Sequence, residues 1–135
     1  MRILIDEEGL EWDDAWDITT RTMSFTNHTI LPEAMEKWSI ELFRSLLPRV
    51  YMIVEEIDRR WRESLLKAGG NGHDILCSTA VLWDNEVRMA NLSIIGSHSV
   101  NGVAALHTEI LKESVFRDFY KLSPEKFNNK TNGVS

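Results

Sequence analysis

The residues of this chain that could do chemistry are four histidines, one cysteine, a glycine-bounded segment and two polar loops. His28, His73, His98 and His107 include no pair four residues apart, the spacing that puts two imidazoles on one helical face, and a lone cysteine adds no ligand cluster. Metal binding is therefore not expected. A serine nucleophile elbow needs Gly-x-Ser-x-Gly, and Gly96-Ser97-His98-Ser99 is not that motif. Residues 96–102 have two readings. They form either a phosphate cradle leading into a helix N-terminus or a purely structural turn; they lack a Walker lysine and the spacing of a dinucleotide fingerprint. The loops at residues 26–29 and 128–132 carry hydroxyls, amides and an imidazole. Such groups suit sugar hydroxyls and serve equally well as caps and turn formers.

Composition narrows the setting of these groups. The net charge is -6, with 15 basic residues scattered among 21 acidic ones, which argues against a nucleic-acid surface. Asp6, Glu7, Glu8, Glu11, Asp13, Asp14 and Asp17 gather near the start and read as a solvated helix face. Cys77 cannot form an internal disulfide, and apolar Ile75, Leu76 and Val81 around it suit a buried, inert thiol in a reducing, cytoplasmic compartment. No run approaches the ~18 apolar residues of a membrane helix, and no charged region followed by an apolar stretch opens the chain. Neither export nor a membrane partner is expected, so the Asn-x-Ser/Thr triplets at Asn27, Asn91 and Asn129 are read as coincidence. At 135 residues, 43% of them hydrophobic and including five Trp and five Phe, the chain suits one modest core.

The elements that must position these groups follow from periodicity. Trp12, Ala15, Trp16, Thr19 and Met23 make one stripe of a helix over residues 11–23. Residues 24–31, rich in Ser, Thr and Asn, should be extended or irregular. Pro32 should open a helix over residues 33–38, and Ser39 should cap another that runs through Leu47. Pro48 then starts the longest helix, with Val50, Ile53, Val54, Ile57, Trp61 and Leu65 inward; it ends at a glycine-rich connector that makes residues 68–74 a possible hinge. Apolar runs at residues 80–83 and 87–95, separated by Asp84-Asn85-Glu86, read as a hairpin or two strands. Residues 96–102 read as a loop, followed by a helix over residues 103–114 with Leu106, Ile110 and Leu111 inward. A helical turn at residues 116–120 and another from Pro124 complete the chain, whose first five residues suit either a strand or a helix tail. The class is helix-rich α/β, and strand, glycine loop and helix in succession is the grammar of an α/β ligand site.

Four stretches carry a resemblance. They are Phe25-Thr26-Asn27-His28-Thr29-Ile30-Leu31-Pro32 continuing to Trp38; Leu46-Leu47-Pro48-Arg49; Arg88-Met89-Ala90-Asn91-Leu92 running into Gly96-Ser97-His98-Ser99-Val100-Asn101-Gly102-Val103-Ala104; and Glu125-Lys126-Phe127-Asn128-Asn129-Lys130-Thr131-Asn132-Gly133. In this order they resemble the α-glucan phosphorylases of glycogen, starch and maltodextrin, and together they cover nearly the whole chain. The chain departs from that pattern at Ser39, where the family often has Pro, and at Val50, where it usually has His.

The resemblance implies a glycosyltransferase of carbohydrate metabolism, in a family known for allosteric control. Orthophosphate cleaves the terminal α-1,4-linked glucose of a glucan to glucose 1-phosphate with retention, and pyridoxal phosphate works through its phosphate. It implies that His28 is the catalytic contact, hydrogen-bonding the glucose and turning its backbone carbonyl toward the developing positive charge. Asn132 would hold a glucose hydroxyl and Val103 would lie against the sugar. Glu36 would line the pocket, with Glu33 one turn earlier on the same helical face; the alternative for both is a solvated helix start. His98 is assigned no catalytic role and is read as an imidazole pinning a turn, and His107 as a packed or hydrogen-bonded core residue.

By the same resemblance, residues 1–135 form a single partial domain, the C-terminal part of the Rossmann-like N-terminal half of a two-domain fold. The Schiff-base lysine and the phosphate-holding Lys and Arg belong to the second domain, so no cofactor-binding residue is expected in this chain. The full enzyme would be a homodimer acting on α-1,4-glucan and orthophosphate, and the chain alone is expected to be inactive. The alternatives are a free-standing glucan- or partner-binding module and a piece that self-associates through surfaces another domain would cover.

Overall fold

The computed structural model describes residues 1–69 and 72–133. A short π-helical turn, Ile3–Glu7, leads to helix α1 (Trp12–Thr22), in which Ala15 is fully buried and the Trp12 and Trp16 rings stack with centroids 6.4 Å apart. Strand β1 (Ser24–Thr26), a 3-10 turn (Pro32–Ala34) and strand β2 (Lys37–Ser39) follow. Ser39 caps helix α2 (Ile40–Leu46) by accepting a bond from the Leu42 amide, and Pro48 occupies the first turn of helix α3 (Pro48–Lys67). Helix α4 (His73–Thr79), strands β3 (Leu82–Trp83) and β4 (Glu86–Arg88), helix α5 (Met89–Ile95) and strand β5 (Ser99–Gly102) come next. Helix α6 (Ala105–Ile110), continued by a π-helical stretch (Leu111–Val115), helix α7 (Arg117–Leu122), a 3-10 turn (Pro124–Lys126) and strand β6 (Phe127–Asn129) complete the order. The fold is helix-rich α/β, the expected class.

The strands form two three-stranded sheets. One is parallel, in the order β1-β5-β6, with Thr26 beside Asn101 and Asn101 beside Asn128. The other is antiparallel, in the order β2-β4-β3. Asp84 and Asn85, with φ of 54° and 60°, form the two-residue turn between β3 and β4; two positive φ values match the twist of a hairpin, and Asp and Asn tolerate them. The core joins Tyr51, Ile53, Val54 and Ile57 of α3 to Val87, Ile94, Val100, Leu111, Phe119 and Phe127.

A buried carboxylate, Asp58, paired with the half-buried Arg62, fixes the hairpin to α3. Asp58, 5% exposed, accepts bonds from the amides of Val81 (2.9 Å) and Leu82 (3.3 Å) and from Arg62 Nε (2.8 Å), while Arg62 also donates to the Leu82 carbonyl. Arg88 donates to the Cys77 carbonyl, and Trp61 Nε1 donates to Thr79 Oγ1 at 3.0 Å.

Several expectations are corrected. The helix expected over residues 33–38 stops after Ala34: Met35 is extended (ψ 126°), and residues 37–39 pair with β4, because a ladder partner outweighs weak local helix preference. Residues 89–95 are helical, not a strand. Asn91, Ile94 and Ile95 are buried at helical spacing, and a short apolar run does not separate the two alternatives. Residues 99–102 of the expected loop are the central parallel strand, whose polar side chains find partners inside the sheet. Leu106 is 74% exposed; Thr108 and Leu111 take the inward positions of that helix. Cys77 is half-buried rather than buried. Gly69 has φ of 76°, and Gly70 and Asn71 of the hinge expected at residues 68–74 lie outside the described residues.

Candidate functional site

Three loops leave the carboxyl ends of β1, β5 and β6, adjacent strands running in one direction. In open α/β sheets this is the edge at which ligands bind. After β1, the Asn27 amide donates to the Asn101 carbonyl at 2.9 Å, extending the ladder by one residue. The Asn27 side chain is 3% exposed, and its Oδ1 accepts from the Thr29 amide at 2.9 Å. This Asx turn bends the chain at His28, whose side chain is exposed.

After β5 the Val103 amide donates to His107 Nδ1 at 3.1 Å. After β6 the Lys130 amide donates to the Gly102 carbonyl (3.1 Å) and the Asn132 amide to the Val103 carbonyl (3.0 Å). Val103 is half-buried and Asn132 exposed. The structure thus brings the loops of His28, Val103 and Asn132 to one sheet edge.

A polar seam lies beneath these loops. Thr26 Oγ1 donates to Asn101 Oδ1 at 2.9 Å, and Asn101 Nδ2 donates to the Gly102 carbonyl at 2.9 Å. The Thr108 hydroxyl lies 2.9 Å from the Ala104 carbonyl and 3.0 Å from Asn129 Oδ1. Gly102 is required where α6 meets β5, since a Cβ there would sit 2.5 Å from Thr108 Oγ1 and 3.0 Å from His107 Nδ1. Neutral groups fill this seam, so it can orient hydroxyls without carrying a charge.

Glu33 and Glu36 lie further along the segment that joins β1 to β2. With Met35 extended, the two do not share a helical face, which corrects the one-turn spacing expected of them. Glu33 is exposed in the 3-10 turn. The Glu36 carboxylate accepts from Trp38 Nε1 at 3.0 Å, its carbonyl accepts from the Met89 amide at 3.1 Å, and it borders a cleft of about 490 Å³ with Ile30, Met35, Arg88 and Phe116. A second groove, of about 540 Å³, runs between α1 and α3 past Trp12, Trp16 and Trp61, with the Arg60 guanidinium 4.9 Å from the Trp12 ring centroid. None of His28, Val103 and Asn132 lines either space.

His98 is exposed, and the turn there is held by its backbone amide, which donates to the Met23 carbonyl at 3.1 Å, rather than by its imidazole. His107 is the hydrogen-bonded residue expected, with Nε2 also 3.4 Å from the Thr29 carbonyl. Sequence reading missed Asn27 and Asn101. The Asn-x-Thr spacing at residues 27–29 is the signature of an Asx turn, whereas nothing local in Ser-Val-Asn-Gly marks a central strand.

Among the described residues no three of His, Cys, Asp and Glu converge as a metal site. Pyridoxal phosphate would need an amine for its imine. Burial pushes the Lys126 ammonium below its ordinary pKa, but its Nζ donates to the Ile94 carbonyl at 3.0 Å, and Lys126 enters β6 at the end opposite Asn132. Lys126, bonded to a backbone carbonyl at the far end of β6, therefore does not offer that amine at the loop edge. No helix among them is long and apolar enough to cross a membrane.

A family model described as carbohydrate phosphorylase matches residues 1–135. The chain is 51% identical over 135 residues to the glycogen phosphorylase of Bacillus subtilis (strain 168), covering all of this chain and 17% of that protein. It is 49% identical over 139 residues to the cytosolic alpha-glucan phosphorylase 2 of Arabidopsis thaliana, and 49% identical over 138 residues to the muscle form of glycogen phosphorylase of Homo sapiens, covering all of this chain and 16% of each. The chain thus spans 16–17% of the length of these curated relatives. With the whole sequence matched by the family model and half of its residues identical in the bacterial relative, the chain belongs to the carbohydrate phosphorylase family.

Proposed function

We propose that this chain forms one wall of the glucose subsite of a cytoplasmic α-glucan phosphorylase, a glycosyltransferase that uses orthophosphate to release glucose 1-phosphate from α-1,4-glucans. The observation that supports this reading is the convergence of the His28, Val103 and Asn132 loops at the carboxyl edge of the parallel sheet. In this reading His28 hydrogen-bonds the terminal glucose and directs its carbonyl toward positive charge developing at the anomeric carbon. A fixed carbonyl dipole there favours the transition state over the ground state. Asn132 holds a sugar hydroxyl, Val103 supplies an apolar contact, and Glu36 with Glu33 borders the approach.

Pyridoxal phosphate and the orthophosphate ligands are supplied by protein outside these residues, so the 135-residue chain binds sugar weakly and does not turn it over. The test is a titration of the ¹⁵N-labelled chain with maltose. Amide shifts at His28, Val103 and Asn132 with millimolar affinity are expected, weakened roughly tenfold in His28→Ala and in Asn132→Ala, as loss of a hydrogen bond to a bound ligand requires. Unchanged spectra at tens of millimolar sugar, on the order of the weakest specific affinities, would sink the subsite. Glucose 1-phosphate made from maltodextrin and orthophosphate by the chain alone would sink its inactivity.

A further inference from the structure

We propose that His107 is a positioning residue, a neutral imidazole protonated on Nε2 that links the loop after β1 to the loop after β5 and so sets where His28 stands relative to Val103. The role assigned to the link rests on the proposed glucose subsite; the link itself rests on the geometry. Val103 offers His107 a backbone N–H, a group that can only donate, and it lies 3.1 Å from Nδ1. Nδ1 is therefore bare, and the ring proton sits on Nε2. That nitrogen faces the Thr29 carbonyl at 3.4 Å, across 78 positions of sequence. One ring thus spans two loops that no strand pairing connects beyond the Asn27 amide.

A capping role alone would use a single nitrogen. Here both are committed, one to each loop. The ring cannot drift, because α6 sits directly on β5: the Gly102 Cα position has no room for a Cβ against Thr108 and His107. The next residue, Thr108, 2% exposed, reaches Asn129 at the end of β6, so the same helix touches the base of the third loop. Small displacements at this ring move His28 and Val103 in relation to each other. Such shifts are what a sugar subsite feels most.

The experiment is nuclear magnetic resonance on the full 135-residue chain, with and without maltose. In the ligand-free wild type, a coupling across the Val103 N–H to His107 Nδ1 bond and a ring ¹⁵N pattern with the proton on Nε2 are expected. His107→Phe keeps a ring and removes both nitrogens, and it should loosen the amides of His28, Thr29 and Val103 together. His107→Asn, whose amide oxygen replaces Nδ1 alone, should restore order at Val103 and leave His28 and Thr29 loose, a split that simple loss of packing does not produce. Should His107→Phe fail to fold, the wild-type coupling and His107→Asn still decide.

A proton on Nδ1, no coupling, or unaltered His28 and Thr29 amides in both variants would overturn the link. With maltose, affinity should drop roughly tenfold in His107→Phe, the scale of one hydrogen bond. Full affinity in His107→Phe beside a loss in His28→Ala would overturn the positioning role and leave the subsite standing. A wild type that binds no maltose removes the subsite, and the ligand-free spectra then decide the link.

Discussion

The antiparallel sheet β2-β4-β3 and the parallel sheet β1-β5-β6 have three short strands each, yet they are held by opposite chemistry. Around the antiparallel sheet the fixing groups are ions: Asp58 and Arg62 bind the backbone at Val81 and Leu82, and Arg88 binds Cys77. Around the carboxyl edge of the parallel sheet the fixing groups are mostly neutral, namely backbone amides, Asn27, Asn101, Thr108 and His107, with the Lys130 ammonium on Asn128 Oδ1 the charged exception. A buried carboxylate that accepts from two backbone amides and a half-buried guanidinium holds an element in one place, because its loss leaves those donors unpaired. A polar seam built mainly of neutral groups offers donors and acceptors with few counter-charges. The first sheet anchors the fold, and the second presents the loops.

If that division is right, the largest effect on stability comes from the anchor. Asp58→Ala leaves the Val81 and Leu82 amides and the Arg62 guanidinium without their partner, and should cost about 2–4 kcal/mol in urea unfolding, the scale of two amides left unpaired. Amide shifts at His28 and Asn132 should change little in whatever fraction stays folded. Equal disturbance of both sheets would break the comparison.

Gly102→Ala tests the presenting half. Its Cβ would lie 2.5 Å from Thr108 Oγ1, so α6 must shift, at about 1–3 kcal/mol. The hairpin amides should keep their hydrogen-exchange protection while those of Val103 and Lys130 lose it. A Gly102→Ala chain as stable as wild type, with the same exchange map, would show that α6 is not seated on β5.

The smallest effect is electrostatic. Bonds from Arg59 and then Arg60 lower the Glu56 carboxyl from 4.5 to about 2. A carboxylate whose folded pKa is depressed contributes stability that is fully present above the unfolded value and is lost as pH falls toward the folded one. Glu56→Gln should therefore lower stability at neutral pH by at most about 1 kcal/mol and flatten its decline between pH 4.5 and about 2. An unchanged acid limb in thermal melts against pH would remove Glu56 from the account.

The anchor was the more legible half. Proline at residue 48 and the apolar period of α3 define that helix without tertiary help, and Asp84-Asn85 marks the hairpin turn by its tolerance of positive φ. The presenting half is written in long-range contacts. Ser99-Val100-Asn101-Gly102 has one apolar residue and becomes a strand only because β1 and β6 flank it. Residues 89–95 hide a helix in an apolar run that suits either state. Family resemblance alone singled out His28, Val103 and Asn132; spacing along the chain says nothing of three loops separated by dozens of residues, and the structure shows only that these loops share an edge. His107, expected as a packed or hydrogen-bonded core residue, is hydrogen-bonded but half-buried, and its two partners are a matter of topology.

All five tryptophans, Trp12, Trp16, Trp38, Trp61 and Trp83, lie in α1, β2, α3 and β3, and none lies in β1, β5, β6 or α6. Indole emission follows the surroundings of these rings, such as the stacked pair of α1 and the Trp61 bond to Thr79. The chain thus carries a built-in optical probe weighted toward its anchor, with Trp16 bordering a space it shares with Ser24 and Phe25 of β1. Fluorescence melts will mainly follow the clamped half, while loosening of the loops after β1, β5 and β6 leaves little trace in that signal and surfaces in backbone exchange.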